Sequence, residues 1–68
     1  MGLSAVEMKQ LTPGERVTFA AGTPREERGS VLTAWGERNG ENRWAIQFLW
    51  EDGSTSWIHY RDGELLSR

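Results

Sequence analysis

From residue 15 onward, hydrophobic and polar positions alternate along the chain with a period of two, the spacing of half-buried strands. Val17 and Phe19 fall on one side and Arg16 and Thr18 on the other, so residues 15–20 are predicted to be a strand. Gly22-Thr23-Pro24 and the charged residues 25–28 read as a polar loop. A second strand is predicted over residues 30–35, with Val31, Thr33 and Trp35 on one face and Leu32 and Ala34 on the other. Both faces are fairly apolar, as in a strand covered in part on both sides. Residues 36–42 read as a turn around Asn39-Gly40, two residues that tolerate left-handed backbone angles. The strongest alternation covers residues 43–50, where Trp44, Ile46, Phe48 and Trp50 line one face and Arg43, Ala45, Gln47 and Leu49 the other. Asp52-Gly53 predicts a tight hairpin turn, residues 54–58 a fourth strand, residues 59–63 a single helical turn or bend, and residues 64–67 a short closing strand.

The first residues follow another pattern. Ser4-Ala5-Val6-Glu7 has the spacing of a capping box, in which a hydroxyl caps a helix start and a glutamate returns the bond. Leu3, Val6 and Met8 do not extend into a long helical stripe, so residues 1–12 are expected to be a short helical turn or a loose arm. Thr12-Pro13-Gly14 stops it, since proline fixes φ and glycine permits positive values. Residues 13–68 then form one all-β unit. Five short strands, a long first loop, two tight hairpins and a late bend suggest a small antiparallel barrel, which also removes the exposed edges of an open sheet.

Length limits how such a unit is stabilised. A chain of 68 residues buries only about 60% of its unfolded surface. There is no cysteine, which excludes disulfides and thiolate zinc sites, and the single histidine, His59, cannot build an imidazole-rich metal site. Neither a metal nor a cofactor is expected, and oligomerisation is the reinforcement left open. No apolar run reaches the ~20 residues of a membrane-spanning helix. Residues 1–10 lack the apolar stretch of a signal peptide, so a soluble, cytoplasmic protein without a membrane partner is expected. The formal net charge is −2, and the arginines are interleaved with acids, as in Arg25-Glu26-Glu27-Arg28 and Glu37-Arg38. That balance disfavours a dedicated nucleic-acid binder, which concentrates basic charge on one face.

Three pieces of the sequence, taken in order, resemble the SH3-like barrels and within them the Tudor and chromo-barrel group. Pro13-Gly14-Glu15-Arg16-Val17 is similar to the opening of their first strand, and Gly29-Ser30-Val31 to the start of their second. Trp44-Ala45-Ile46-Gln47-Phe48, followed by Asp52-Gly53 and Trp57, resembles their central hairpin, and Leu65 or Leu66 stands where they close. The resemblance implies a five-stranded SH3-like barrel that acts as a binding module. In that group an aromatic cage holds a methylated lysine or arginine by cation–π attraction. Trp35, Trp50, Trp57 and Tyr60 are the positions that could supply such a wall, with Glu51 or Asp52 as the acid, although residues 20–29 contain no aromatic. A weaker resemblance is to the plasmid-borne type II dihydrofolate reductases, short SH3-like barrels that assemble as tetramers around a pore. It rests on Gly14-Glu15-Arg16-Val17, Arg28-Gly29-Ser30-Val31, Trp44-Ala45-Ile46 and Gly53-Ser54. Where that family has a Val-Gln-Ile-Tyr run, this chain has Thr55-Ser56-Trp57-Ile58, without the glutamine that binds substrate and cofactor.

Catalytic chemistry finds little footing. A nucleophilic triad could be drawn only from His59, Asp62 and Ser54 or Ser56, all in one short stretch where adjacent strand positions face opposite ways. The acid pairs Glu26-Glu27 and Glu51-Asp52 fall on turns, where carboxylates stay solvated. The expectation is a protein that is not an enzyme.

The four tryptophans are more informative, because a core this small does not need all of them. Trp44 shares a face with Ile46 and Phe48 and is expected in the core. An interaction module that binds a protein partner, or itself as a homo-oligomer, is the function expected. Trp35, Trp50, Trp57 and Tyr60 would form the contact, with Arg43 and Arg61 at its rim. The alternatives are an oligomeric barrel enzyme like the type II reductases, or a nucleic-acid-binding SH3- or Tudor-like protein that stacks bases on its aromatics.

Overall fold

A computed structural model of the chain describes residues 2–33 and 44–68. Helix α1, Ala5–Lys9, begins at the predicted capping box. The Glu7 N–H donates to Ser4 Oγ at 3.1 Å, and the Ser4 N–H donates to Glu7 Oε1 at 2.9 Å. A helix this short has no stability of its own. Packing holds it instead: Met8 and Leu11 are fully buried beside Leu3 in the main core. Of the two forms expected for residues 1–12, the structure has the short helical turn, docked on the core rather than loose. The segment's apolar residues are few, but they are placed to enter the core, a tertiary contact that a search for a long amphipathic stripe does not detect.

The strands are β1 (Arg16–Phe19), β2 (Glu27–Thr33), β3 (Ala45–Trp50), β4 (Thr55–His59) and β5 (Leu66–Ser67), with a 3-10 helix over Tyr60–Leu65 between the last two. They form one antiparallel sheet in the order β4-β3-β2-β1-β5. This is a small all-β, SH3-like half-barrel. The fifth strand returns to pair with the first, Phe19 opposite Leu66, leaving β4 and β5 at the two ends of the order. The 3-10 helix crosses between those ends, and α1 packs on it. The contact is close at Gly63, which accepts the Leu3 N–H at 2.8 Å. A Cβ there would lie 2.7 Å from Met8 Cγ.

The second strand begins at Glu27, earlier than predicted. Glu27 pairs with Phe19 and Arg28 with Thr18, and both charged residues are exposed, so their polarity is compatible with extended backbone. Between Val31 and Thr33 the register with β3 shifts, a bulge that sets Leu32 outside the pairing. The predicted Asn39-Gly40 turn lies outside the described residues.

Alternation sorts the strands into two faces. Val17, Val31, Ile46, Phe48, Trp50 and Leu66 point inward and join Leu3, Met8 and Leu11 in a single core. Each such side chain contributes about 1.5–3 kcal/mol by leaving water. Gly29 lies opposite Trp50 across the β2–β3 ladder. A Cβ at Gly29 would meet Leu49 O and come within 2.6 Å of Trp50 Cε3, so the glycine makes room for the indole.

Trp44 departs from the expected core face. It precedes β3 with φ at 67°, in the left-handed region, and this rotates it off the line of Ile46 and Phe48. It is half-buried, its carbonyl accepts the Tyr60 N–H at 2.9 Å, and its ring meets Tyr60 edge-on at 6.2 Å.

Candidate functional site

The outer face of the sheet and one end of the barrel carry the residues that could contact a partner. On β4, Thr55, Trp57 and His59 alternate with the inward Ser56 and Ile58. Trp57 is paired with Gln47 and is 37% exposed. One step along β3, on the same face, Leu49 is also 37% exposed, and Leu32 at the bulge of β2 is 44% exposed. Thr33 Oγ1 donates to Gln47 Oε1 at 3.0 Å and fixes the polar row between Trp57 and the bulge. The face continues across Ser30, opposite both Arg16 and Leu49, to Arg28, opposite Thr18. There an open groove of about 400 Å³ is lined in part by Arg16, Thr18, Arg28, Ser30, Leu49 and Glu51. Arg28 is tied to Glu26 at 3.8 Å, an exposed pair of little energetic weight. The outer face thus sets the apolar pair Trp57 and Leu49 within a polar and basic border.

Tyr60 is the hub of a second cluster, where the end of β4, the 3-10 helix and α1 meet. Lys9 Nζ lies 4.6 Å from the centre of its ring and the Arg61 guanidinium 5.5 Å from it. Arg61 Nε donates to the Tyr60 hydroxyl at 3.2 Å, and His59 stacks on the ring at 4.6 Å. The chain therefore supplies its own cations to this aromatic.

Two expected contact residues, Trp35 and Arg43, lie outside the described residues. A third, Trp50, is only 6% exposed. It stacks on Phe48 at 5.6 Å and meets Phe19 edge-on at 6.1 Å. Its indole N–H donates to Ser56 Oγ at 3.0 Å. Trp50 is a core residue by burial, its place on the inward face of β3 outweighing its closeness to the exposed turn, although it also lines the groove beside Arg28. Trp57 and Tyr60 are separated as well, one on the outer sheet face and the other at the barrel end, so Trp50, Trp57 and Tyr60 do not assemble into one cage. Leu32 and Leu49 were not among the expected contacts. For Leu49 the signal is a leucine at the outward position of an alternating strand, whereas Leu32 stands at the bulge.

The polar groups considered for catalysis are engaged separately. Ser56 Oγ accepts the Trp50 indole N–H. Ser54 Oγ donates to Asp52 Oδ1, and His59 Nδ1 accepts the Arg61 N–H at 3.2 Å. The two bonds from Ser54, side chain first and backbone second, hold the Asp52 carboxyl below its ordinary range. Among the described residues no group of three acids or histidines is gathered to hold a metal ion, and no helix is long and apolar enough to cross a membrane. Comparison with protein-family models, with curated proteins and with solved structures found no match.

Proposed function

We propose that the protein is a small, non-catalytic interaction module that binds a protein partner, or itself, through the outer face of its sheet. The observation that carries this reading is the exposure of Trp57 beside Leu49 on the outer face of the β3–β4 hairpin. A large aromatic beside Leu49, with Arg16 and Arg28 farther along the face, has the composition of an interface centre with a polar rim. The small core favours the same reading, since burial at an interface would add to a limited store of apolar contacts.

Less supports the other readings. A Tudor-type cage would draw on Trp50, which is enclosed in the core, and on Tyr60, whose ring already carries Lys9 and Arg61. For a reductase of the type II kind, the stretch after Gly53-Ser54 offers Trp57 and no glutamine. Single-stranded nucleic acid could stack on Trp57, but Glu27 and Glu51 accompany the arginines of β2 and its groove.

The test is site-specific photo-crosslinking in cells that express the chain. A photoreactive residue at Leu49 should give protein adducts that disappear when Trp57→Ser is added. The same probe at Val6, exposed on α1 away from the sheet face, should give none. Adducts that ignore Trp57, or form equally at both positions, would overturn the reading.

A further inference from the structure

The β3–β4 hairpin shows which backbone groups of β4 are already used. At one end the Trp50 N–H donates to Ser54 O at 2.9 Å, and at the other the Tyr60 N–H donates to Trp44 O at 2.9 Å. Both bonds belong to the same set of directly opposed pairs, which alternate along an antiparallel ladder between bonded and non-bonded. Given the observed register, Ser56 and Ile58 spend their N–H and C=O groups on Phe48 and Ile46. Thr55, Trp57 and His59 fall on the other parity, so their main-chain groups point away from β3. Among the described residues β4 ends the strand order, and nothing pairs with that edge.

Edges of this kind are commonly blunted by charge, proline, a bulge or shortness. The opposite edge, β5, is two residues long. In contrast, β4 has five residues, Thr-Ser-Trp-Ile-His, with no Lys, Arg, acid or proline, and its register with β3 is regular throughout.

We propose that this edge pairs with β4 of a second copy of the chain, antiparallel about a two-fold axis at Trp57, so that the two sheets become continuous. The proposal deepens the reading of Trp57 as a contact residue and rests on it. The free parity fits: Trp57 faces its own mate, and Thr55 faces His59 of the other copy. These pairs exchange about six main-chain hydrogen bonds. The two outer faces become one surface, and the Trp57 rings meet on it. A two-fold axis sets each residue against the same segment of its mate, where a charged strand would repel itself. The absence of formal charge from this strand, at the axis residue above all, leaves self-pairing unopposed. A five-residue strand with one indole buries less than the roughly 800 Å² per partner of a standard interface, so the dimer forms and dissociates with concentration.

The test uses the intact chain, in sedimentation equilibrium and amide hydrogen exchange over a wide concentration range. The expected mass rises from one chain towards two. Over that rise the Thr55, Trp57 and His59 amides slow by about tenfold or more, whereas the Ser56, Ile58 and Tyr60 amides are protected throughout. Trp57→Lys, which sets like charges together at the axis, should hold the chain at the mass of one copy with its circular dichroism retained. Thr55→Pro should do the same, because the N–H it removes is not used inside the molecule. A single-chain mass at every concentration overturns the proposal, and so does a dimer whose Thr55, Trp57 and His59 amides exchange freely. A monomer that still forms the Trp57-dependent adducts at Leu49 would end the self-pairing proposal and leave the interaction module standing. Loss of both results would end both.

Discussion

Trp50 and Trp57 flank the same hairpin turn, yet they answer to different surroundings. Trp50 is inward on β3, stacked on Phe48, bonded through its indole to Ser56 and fitted over Gly29. Trp57 is outward on the edge strand. Trp50→Ala should cost about 3–5 kcal/mol, a large share of the total for a domain this small, and shift the urea midpoint sharply or abolish folding. Trp57→Ser, measured in dilute solution, should change stability by about 1 kcal/mol or less. Equal losses from the two would show that the faces of the sheet are misassigned. In the sequence both tryptophans border Asp52-Gly53 and look equivalent. What separates them is parity: Trp50 is in step with Ile46 and Phe48, whereas Trp57 is in step with Thr55. Parity places a side chain on a face, and knowing which face is covered takes the whole sheet. Trp44 shows the limit of that rule. Its parity is that of the core, but a left-handed φ turns it out of the strand before the alternation begins.

Elements were legible where local chemistry decides them. The Ser4–Glu7 box starts α1, and the Asp52 turn, closed by Ser54 and by the Gly53 N–H to Trp50 O, fixes the β3–β4 hairpin. They were less legible where pairing decides them. The start of β2 at Glu27 follows from its ladder with β1, and the docking of α1 follows from the space at Gly63. The helix offers a direct test. Ser4→Ala removes the cap and should cost about 1 kcal/mol in denaturation. The backbone N–H of Ser4 first, and its hydroxyl second, hold the Glu7 carboxyl below its ordinary value. A carboxyl with a lowered pKa in the folded state stabilises the fold above its unfolded pKa. That contribution fades as pH falls below about 4.3 and through the lowered folded value. Part of the acid sensitivity of the native chain should therefore vanish in Glu7→Gln, which cannot titrate. An unchanged pH profile would mean that the capping box does not persist in solution.

At the scale of the whole molecule, a five-stranded half-barrel, a 3-10 helix and a one-turn α-helix share one core without a disulfide. The all-β class and strand count followed from alternation and turn residues. The contact surface followed only in part, because Leu49 and Trp57 lie on different strands and become neighbours through register. The central claim is that this face is covered when the protein is at work. Hydroxyl-radical footprinting addresses it directly, by comparing the purified chain in dilute solution with the same chain in its native lysate. Trp57 and Leu49 should lose reactivity in the lysate, while Val6 and Leu65, exposed elsewhere at 65% and 51%, keep theirs. Equal oxidation of Trp57 in both conditions would contradict the claim.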